Sequence, residues 1–170
     1  MQEHPQCYNT KCHNTNLTGF SDVNLTDDVN DRKSNPGGCI YFGNNLVSLY
    51  SKEQSCVSLS TIESEYTALG SFCSQMLWMR QVLTDYRVEE KTLTAYCDNS
   101  SAINISKNPV QHSRTIHIDI RHHFIRDLVE NKIVTIDFVT TENQIADIFT
   151  KALDFQRFNY LKHSLGVCTL

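Results

Sequence analysis

The sequence lacks a long apolar run and an excess of positive charge, and each absence excludes a class of protein. No stretch approaches the roughly 20 apolar residues that a transmembrane helix needs, so we expect no membrane association. The net charge of −4 and the pI near 5.9 argue against a free-standing nucleic-acid-binding module, because such modules are usually basic over a whole face. Any affinity for nucleic acid must therefore be local or be supplied by a partner.

Cysteine pairing motifs are also absent. The seven cysteines are an odd number, none of them forms a C-x-x-C pair, and the sequence shows no signal peptide. We therefore expect free thiols in a reducing compartment rather than disulfides. This predicts an intracellular protein, in the cytoplasm or the nucleus.

What remains is the composition of one globular domain. With 170 residues and 40% hydrophobic content, the chain can bury a proper core. We find no internal repeat, low-complexity tract or second domain. Residues 1–15 are polar and aperiodic, which indicates a disordered tail. We therefore predict a domain over residues 16–170.

The hydrophobic patterns predict a mixed α/β architecture. Two hairpin-like connections come first, one through Pro36-Gly37-Gly38 and one at Gly43 to Asn45. The first long helix opens with an S-x-x-E capping box at Ser60. The predicted strands are 17–21, 39–42, 46–51, 92–97 and 134–139. Three helices are predicted over 60–85, 101–106 and 115–131. A fourth helix is predicted to start at a T-x-x-Q pattern at 141–144, and an amphipathic segment through 155–165 closes the chain.

Four carboxylates stand where these elements should deliver them to the edge of a core. They are Asp22, Glu65, Asp98 and Asp147. Mg²⁺ prefers oxygen ligands and typically sits between one or two carboxylates and a substrate phosphate. Acids that converge from distant segments therefore suggest phosphodiester chemistry, and a nuclease is the first hypothesis.

Helical spacing distinguishes Glu65 from the neighbouring Glu63. Glu63 is the expected cap partner of Ser60, whereas Glu65 lies on the apolar stripe, three residues after Ile62 and four before Leu69. Burying an unpaired carboxylate is expensive, so Glu65 should have a compensating cation or donors. The alternative is an acid at the rim of the stripe with its head in water.

Asp98 and Asp147 are placed by their neighbours. Asp98 follows the predicted strand 92–97, and parallel sheets collect ligands beyond the carboxyl ends of their strands. The alternative is an ordinary cap for the next helix, since Asp or Asn is common there. The helix after the last strand is expected to bury Ile145, Ile148, Phe149 and Ala152. Asp147 then lies one step to the side of this row.

The helix predicted over 115–131 carries basic residues beside its apolar row. Arg114, His117 and Arg121 could touch a phosphate backbone, a contact that fixes position without reading sequence. The alternative is a face that is merely solvated.

The motifs around the four acids resemble the ribonuclease H domain of copia-type LTR retrotransposon Pol polyproteins, and plant elements are the most similar. The resemblance runs from about Asn16 to the last residue. The matching motifs include Gly19-Phe20-Ser21-Asp22, Ser58-Leu59-Ser60, Glu63-Ser64-Glu65-Tyr66, Tyr96-Cys97-Asp98-Asn99, His117-Ile118-Asp119-Ile120-Arg121 and Ala146-Asp147-Ile148-Phe149-Thr150-Lys151. Their order along the chain is that of the family.

The resemblance implies a fold, an activity and partners. The fold would be a five-stranded mixed sheet, three strands antiparallel and the rest parallel, flanked by helices. The activity would be hydrolysis of the RNA strand of an RNA:DNA hybrid with two Mg²⁺ ions, or Mn²⁺ in their place. Contacts to 2′-hydroxyls from Asn99 or Ser100 would discriminate against DNA. The four acids would be the catalytic metal ligands, and the reverse transcriptase domain of the parent polyprotein would be a partner.

Some positions depart from the family pattern. Residues 21–25 read Ser-Asp-Val-Asn-Leu where the family usually has Ser-Asp-Ala-Asp-Trp. Glu53 and Ile116 stand where lysine is common, which subtracts from nucleic-acid attraction. The catalytic histidine loop of cellular ribonucleases H has no counterpart before Asp147. Proton handling would then need another group, such as Glu142.

Two other functions stay open. One is a decayed or domesticated remnant that keeps the fold as a nucleic-acid-binding or structural module, since a chain beginning at Met1 has no room for polymerase, integrase or protease. The other is a transposase or integrase core of the same superfamily. Those cores use acids in Asp-Asp-Glu order, whereas here the glutamate precedes the second aspartate. The intact acids favour the nuclease.

Overall fold

The computed structural model describes residues 16–25, 34–52, 60–88, 92–107 and 116–167, and the side chains of Leu25 and of residues 116–122 are not among the described positions. The tail predicted over 1–15 lies outside these ranges. The elements in chain order are β1 (Leu17–Leu25), β2 (Ser34–Phe42), β3 (Asn45–Ser51), α1 (Thr61–Asp85), β4 (Leu93–Cys97), α2 (Ser100–Lys107), α3 (Ile116–Glu130), β5 (Val134–Phe138), two 3₁₀ segments (Thr141–Asn143 and Ile145–Phe149) and α4 (Phe155–Ser164).

The five strands form one mixed sheet in the order β3-β2-β1-β4-β5. β1, β2 and β3 pair antiparallel, whereas β4 runs parallel to β1 and β5 runs parallel to β4. The predicted fold class is therefore confirmed. Because β1, β4 and β5 point the same way, their carboxyl ends lie at one edge of the sheet.

The core lies between the sheet and helices α1, α2 and α3. Burying one large apolar side chain contributes about 1.5–3 kcal/mol, so these contacts dominate the stability of the fold. The fully buried apolar side chains of this core include Leu17, Ile40, Leu69, Phe72, Met76, Leu93, Ile125 and Ile136.

Helix α1 begins and ends where the sequence predicts. The amide of Glu63 donates to Ser60 Oγ at 3.2 Å, which is half of a capping box, and the helix ends at Asp85. The prediction that Ile62 belongs to the buried stripe is wrong, because its side chain is 40% exposed. The buried apolar residues of α1 start later, at Tyr66, Ala68 and Leu69.

Strand β2 is longer than predicted and includes Pro36-Gly37-Gly38, which the sequence had placed in a connection. Proline is tolerated here because the Pro36 carbonyl accepts from the Lys52 amide, at the end of the β3 pairing. In a strand, the nitrogen and the carbonyl of one residue point toward the same neighbouring strand. The nitrogen of Pro36 therefore points toward the end of β3, as its carbonyl does, and its missing N–H costs no hydrogen bond to β1.

The helix predicted from the T-x-x-Q pattern is instead two 3₁₀ segments. With three residues per turn rather than 3.6, the buried face shifts. Gln144, Ala146 and Asp147 are buried instead of the predicted row. Gln144 has a specific role here, because its Nε2 donates to the carbonyl of Ser21 at 2.9 Å and ties this segment to β1.

Two smaller expectations concern thiols and membranes. Cys39, Cys73 and Cys97 are free, as predicted, and all three are buried. The other four cysteines lie outside the described ranges. Within those ranges, no helix combines the length and the apolar character that spanning a bilayer requires.

A pair of glycine variants tests how closely α1 approaches the sheet. A Cβ at Gly19 would lie 2.4 Å from Phe72 Cζ and 2.7 Å from the Cys39 carbonyl oxygen. We therefore expect Gly19→Ala to lower the free energy of unfolding by about 1–3 kcal/mol, the usual cost of overpacking. Urea unfolding followed by circular dichroism measures the change.

The matched control is Gly70→Ala in α1. A Cβ at Gly70 would meet Ile125 Cδ1 at 3.5 Å, an ordinary contact. Alanine is favoured over glycine in a helix interior by roughly 0.5–1 kcal/mol, so this variant should be as stable as wild type or slightly more stable. Equal destabilisation by the two substitutions would contradict the close approach at Gly19.

Candidate active site

The parallel pairing of β1 and β4 brings two of the predicted acids side by side. Phe20 pairs with Tyr96 in the register of these strands, and Asp22 and Asp98 each follow two residues later. Carboxylate oxygens of Asp22, Asp98 and Asp147 all lie within 4.8 Å of one another. Three acids from three separate elements therefore converge at the carboxyl edge of the sheet.

Glu65 joins this cluster from the N-terminal part of α1. Its side chain is only 7% exposed, which excludes the alternative of an acid at the rim with its head in water. One of its carboxylate oxygens lies within 4.8 Å of an oxygen of Asp98 and of Cys97 Sγ. The structure thus brings together all four acids that the sequence singled out.

Asn99, and not Asp98, caps helix α2. Its Oδ1 accepts from the amides of Ser101 at 3.0 Å and Ala102 at 3.1 Å. The capping alternative for Asp98 is therefore not realised. Asp98 Oδ2 instead accepts from the Thr141 hydroxyl at 3.3 Å, so its carboxylate is directed toward the cluster and the first 3₁₀ segment.

Gly37 allows the second 3₁₀ segment, which carries Asp147, to lie against the sheet. A Cβ at Gly37 would meet Phe149 Cβ at 2.7 Å and Thr150 Cγ2 at 2.8 Å. Gly37 is also the partner of Asp22 in the pairing of β1 with β2. The missing side chain therefore creates the space in which residues 149–150 reach Asp22.

Two side chains that follow Asp147 bind the acids directly. The Thr150 hydroxyl donates to Asp22 Oδ2 in a short hydrogen bond. Lys151 Nζ lies 2.6 Å from Asp147 Oδ1 and 3.3 Å from Asp22 Oδ1. The spacings i+3 and i+4 from Asp147 place both residues on its side of the chain.

Arg157 of α4 supplies a second positive charge. Its Nη2 lies 3.5 Å from Asp147 Oδ2 and donates to the Thr141 carbonyl at 2.7 Å, while Nη1 donates to the Glu142 carbonyl. The guanidinium therefore fixes the first 3₁₀ segment relative to Asp147.

Burial and the closeness of the other carboxylates raise the pKa values of two acids in the site. Burial is the largest cause that raises the pKa of Glu65 to about 9, with Asp22 and Asp98 adding repulsion and Lys151 opposing it. Burial also raises the pKa of Asp22 to about 6, although the Thr150 hydrogen bond and Lys151 lower it. Both shifts show that the site favours bound positive charge or a bound proton.

Cys97 offers a sulfur ligand next to Glu65 and Asp98. Burial raises the pKa of its thiol to about 12, so the sulfur stays protonated near neutral pH. A neutral thiol is a poor ligand for hard cations, which select oxygen. The oxygen set of Asp22, Asp98 and Asp147 is therefore the better candidate for a cation such as Mg²⁺.

The predicted nucleic-acid contacts are only partly placed. Asn99 is half-buried and Ser100 is exposed, both directly after Asp98. Arg114 lies outside the described residues. His117 and Arg121 belong to α3, but their side chains are not described, so these contacts stay predictions.

Sequence reasoning missed the partners of the acids. Thr150 and Lys151 were noted only as part of a motif, although their i+3 and i+4 spacing from Asp147 was a usable signal. The ion pair of Arg157 with Asp147 had no signal, because it depends on how α4 packs against the second 3₁₀ segment.

Two plant proteins are similar in sequence to this chain. The retrovirus-related Pol polyprotein from transposon TNT 1-94 of Nicotiana tabacum is 36% identical over 151 residues, 89% of this chain. The one from transposon RE1 of Arabidopsis thaliana is 34% identical over 158 residues, 92% of the chain. In both cases the chain spans 11% of the relative's length. No protein-family model matches the sequence.

Solved structures share the fold at low sequence identity. The N-terminal ribonuclease H domain of Rv2228c from Mycobacterium tuberculosis superposes with a TM-score of 0.58 at 9% identity, over 88% of this chain and 98% of that one. LC11-RNase H1, solved in complex with an RNA/DNA hybrid, gives 0.57 at 13% identity, over 78% and 92%. The chain is therefore homologous, over about nine tenths of its length, to a short segment of the retrovirus-related Pol polyproteins of plant transposons, and it has the fold of ribonuclease H domains.

Proposed function

We propose that residues 16–170 form the ribonuclease H domain of a copia-type retrotransposon Pol protein and hydrolyse the RNA strand of RNA:DNA hybrids. The observation that carries the proposal is the convergence of the oxygens of Asp22, Asp98 and Asp147 within 4.8 Å. The plant Pol relatives support it, as does the fold shared with a ribonuclease H1 whose structure contains an RNA/DNA hybrid.

The four acids fit a site for two Mg²⁺ ions, or Mn²⁺ in their place. They offer oxygen ligands, which both ions prefer, and Asp22, Glu65 and Asp147 are buried. Burial first, and then repulsion from Asp22 and Asp98, raise the pKa of Glu65, so a bound cation would stabilise the charged form of this carboxyl. When bound, such ions activate a water for attack on phosphorus and stabilise charge on the leaving oxygen.

The other side chains of the site would orient the acids and the substrate. Thr150 fixes one oxygen of Asp22, and Arg157 fixes Asp147 against the first 3₁₀ segment. Asn99 and Ser100 follow Asp98 at the mouth of the site, where they could contact 2′-hydroxyls of the RNA strand. Glu142 is exposed on the first 3₁₀ segment and is our candidate for handling protons.

Contacts to the phosphate backbone of the nucleic acid would come from two sources. One is α3, through His117 and Arg121, together with the nearby Arg114. The other is the reverse transcriptase domain of the parent polyprotein, because a net charge of −4 gives this chain little general attraction to phosphates.

The direct test is cleavage of a labelled RNA:DNA hybrid by the purified chain with and without Mg²⁺. We expect metal-dependent cleavage by wild type. Asp98→Asn should lower the rate by more than about 100-fold, because changes to residues that only support metal ligands already cost about 10–100-fold. Asp85→Asn is the matched control and should keep wild-type activity, since twenty residues of α1 place Asp85 about 30 Å from Glu65.

Two results would contradict the proposal. A folded wild-type chain that cleaves no hybrid at high enzyme concentration would instead favour a remnant with a binding or structural role. Equal loss of activity in Asp98→Asn and Asp85→Asn would show that the acidic cluster has no special part in the reaction.

The pH dependence of stability tests the charge crowding at Glu65. Its pKa is about 9 in the folded protein against an ordinary 4.5, so the folded state binds more protons than the unfolded state between these values. Stability therefore falls as pH rises through this window. In EDTA, we expect wild type to lose more free energy of unfolding between pH 6.5 and 9 than Glu65→Gln does.

Urea unfolding at the two pH values measures this difference. Asp22 shifts in the same direction, but its window ends near its pKa of about 6, so it contributes little to the comparison. Saturating Mg²⁺ should reduce the pH-dependent loss in wild type, because a bound cation takes the place of the proton. Identical pH profiles of the two proteins in EDTA would refute the assignment to Glu65.

A further inference from the structure

The ammonium group of Lys151 contacts two carboxylates of the acidic cluster directly. It is 2.6 Å from Asp147 Oδ1 and 3.3 Å from Asp22 Oδ1. Those carboxylates belong to the set of oxygens that lie within 4.8 Å of one another. The side chain is 32% exposed, so it reaches the acids from the open side of the site.

The backbone holds Lys151 at this place. Its amide donates to the Asp147 carbonyl at 3.0 Å, which makes one helical turn between the two residues. The preceding Thr150 hydroxyl binds the other oxygen of Asp22. Thr150 and Lys151, which lie on one short segment with Asp147, therefore both stabilise the negative charge of Asp22.

A divalent ion and this ammonium would compete for the same oxygens. An Mg²⁺ ion binds carboxylate oxygen at about 2.0–2.1 Å. If it bound Asp147 Oδ1 while Lys151 Nζ stayed at 2.6 Å from that oxygen, the two cations could be no more than about 4.7 Å apart. The ion would use the oxygen that accepts from Lys151, and repulsion between the two charges weakens the ammonium contact, so metal binding favours release of the ammonium.

Lys151 is the group that can leave. Arg157 is held by the carbonyls of Thr141 and Glu142 and contacts Asp147 only at 3.5 Å. Lys151 has a flexible four-carbon stem and a compact charged head, and about a third of its side chain faces solvent. Its head can therefore move out of the cluster while its backbone stays in place.

We propose that Lys151 is a resident counter-ion of the acidic cluster, which a divalent cation displaces on binding, so that this lysine sets the metal affinity of the site. It is a positioning residue, since it acts through Asp22 and Asp147. The inference rests on the proposed function in one respect, because it takes the cluster to be a divalent-metal site.

The test is calorimetric titration of the whole chain with Mn²⁺ and with Mg²⁺. Lys151→Met removes the charge and keeps most of the stem, and should bind metal at least about tenfold more tightly than wild type. Lys151→Arg keeps the charge and should stay within about threefold of wild type. Lys107→Met, in the last turn of α2, is the matched control for losing a lysine and should bind like wild type.

Thermal unfolding gives a second readout that needs no catalysis. Without metal, Lys151→Met should have a lower Tm than wild type, because the acids lose their counter-ion. Saturating Mn²⁺ should then raise its Tm by more than it raises that of wild type. Unchanged or weaker metal affinity in a folded Lys151→Met protein would overturn the proposal.

A measurement on wild type keeps the proposal testable if the variant does not fold. Reductive methylation followed by mass spectrometry reports how accessible each lysine is. Lys151 should react faster with saturating Mg²⁺ than in EDTA, whereas Lys107 should not change. A Lys151 rate that is unchanged or slower with metal would show that the ammonium stays in the cluster.

Hybrid cleavage separates this inference from the proposed nuclease. Cleavage by wild type together with equal metal affinity in wild type and Lys151→Met would overturn the counter-ion role alone. If Lys151→Met binds metal more tightly than wild type but wild type cleaves no hybrid, the counter-ion role is supported and only the nuclease proposal is contradicted. Failure of both proteins to bind either metal would overturn both.

Discussion

The structure depends on holding several carboxylates together at a place from which water is largely excluded. Asp22, Glu65 and Asp147 are buried, and Asp98 lies among them. Such an arrangement is unfavourable unless donors or cations compensate each charge. For Asp22 and Asp147 the compensation comes from Thr150, Lys151 and Arg157, all of which lie in the C-terminal part of the chain. Residues 150–151, which follow the second 3₁₀ segment, thus stabilise Asp22 of β1, and Arg157 of α4 stabilises Asp147.

The backbone is shaped to allow these contacts. Parallel pairing of β1 with β4 sets the first two aspartates side by side, and the absence of a side chain at Gly37 lets residues 149–150 approach Asp22. Gln144 fastens the same segment to β1 through the Ser21 carbonyl. A small change at any of these positions would alter distances between acids, and electrostatic interactions in a site of low polarity are sensitive to such changes.

The sequence predicted the parts that depend on local patterns. The spacing of the apolar residues and the capping box predicted α1 and distinguished Glu65 from Glu63. The resemblance to the family predicted the five-stranded sheet. It failed where tertiary contacts override local signals. The T-x-x-Q pattern is typical of a helix start, yet the Gln144 side chain is used to bind β1, and the segment forms 3₁₀ turns. Pro36 and Gly37 read as a turn, yet they lie in β2. Asp147 is buried because its segment is a 3₁₀ helix rather than an α-helix, and no sequence pattern predicts that difference.

The counter-ion role of Lys151 bears on why a site of this kind folds at all. A cluster built only for divalent ions would destabilise the chain whenever the ions are absent, since unpaired buried carboxylates repel and lose hydration. A lysine on the same short segment as Asp147 removes that dependence, because the metal-free state already has a cation among the acids. The cost is weaker metal binding, since each incoming ion must release the ammonium. Stability without metal and affinity for metal are therefore opposed through one side chain.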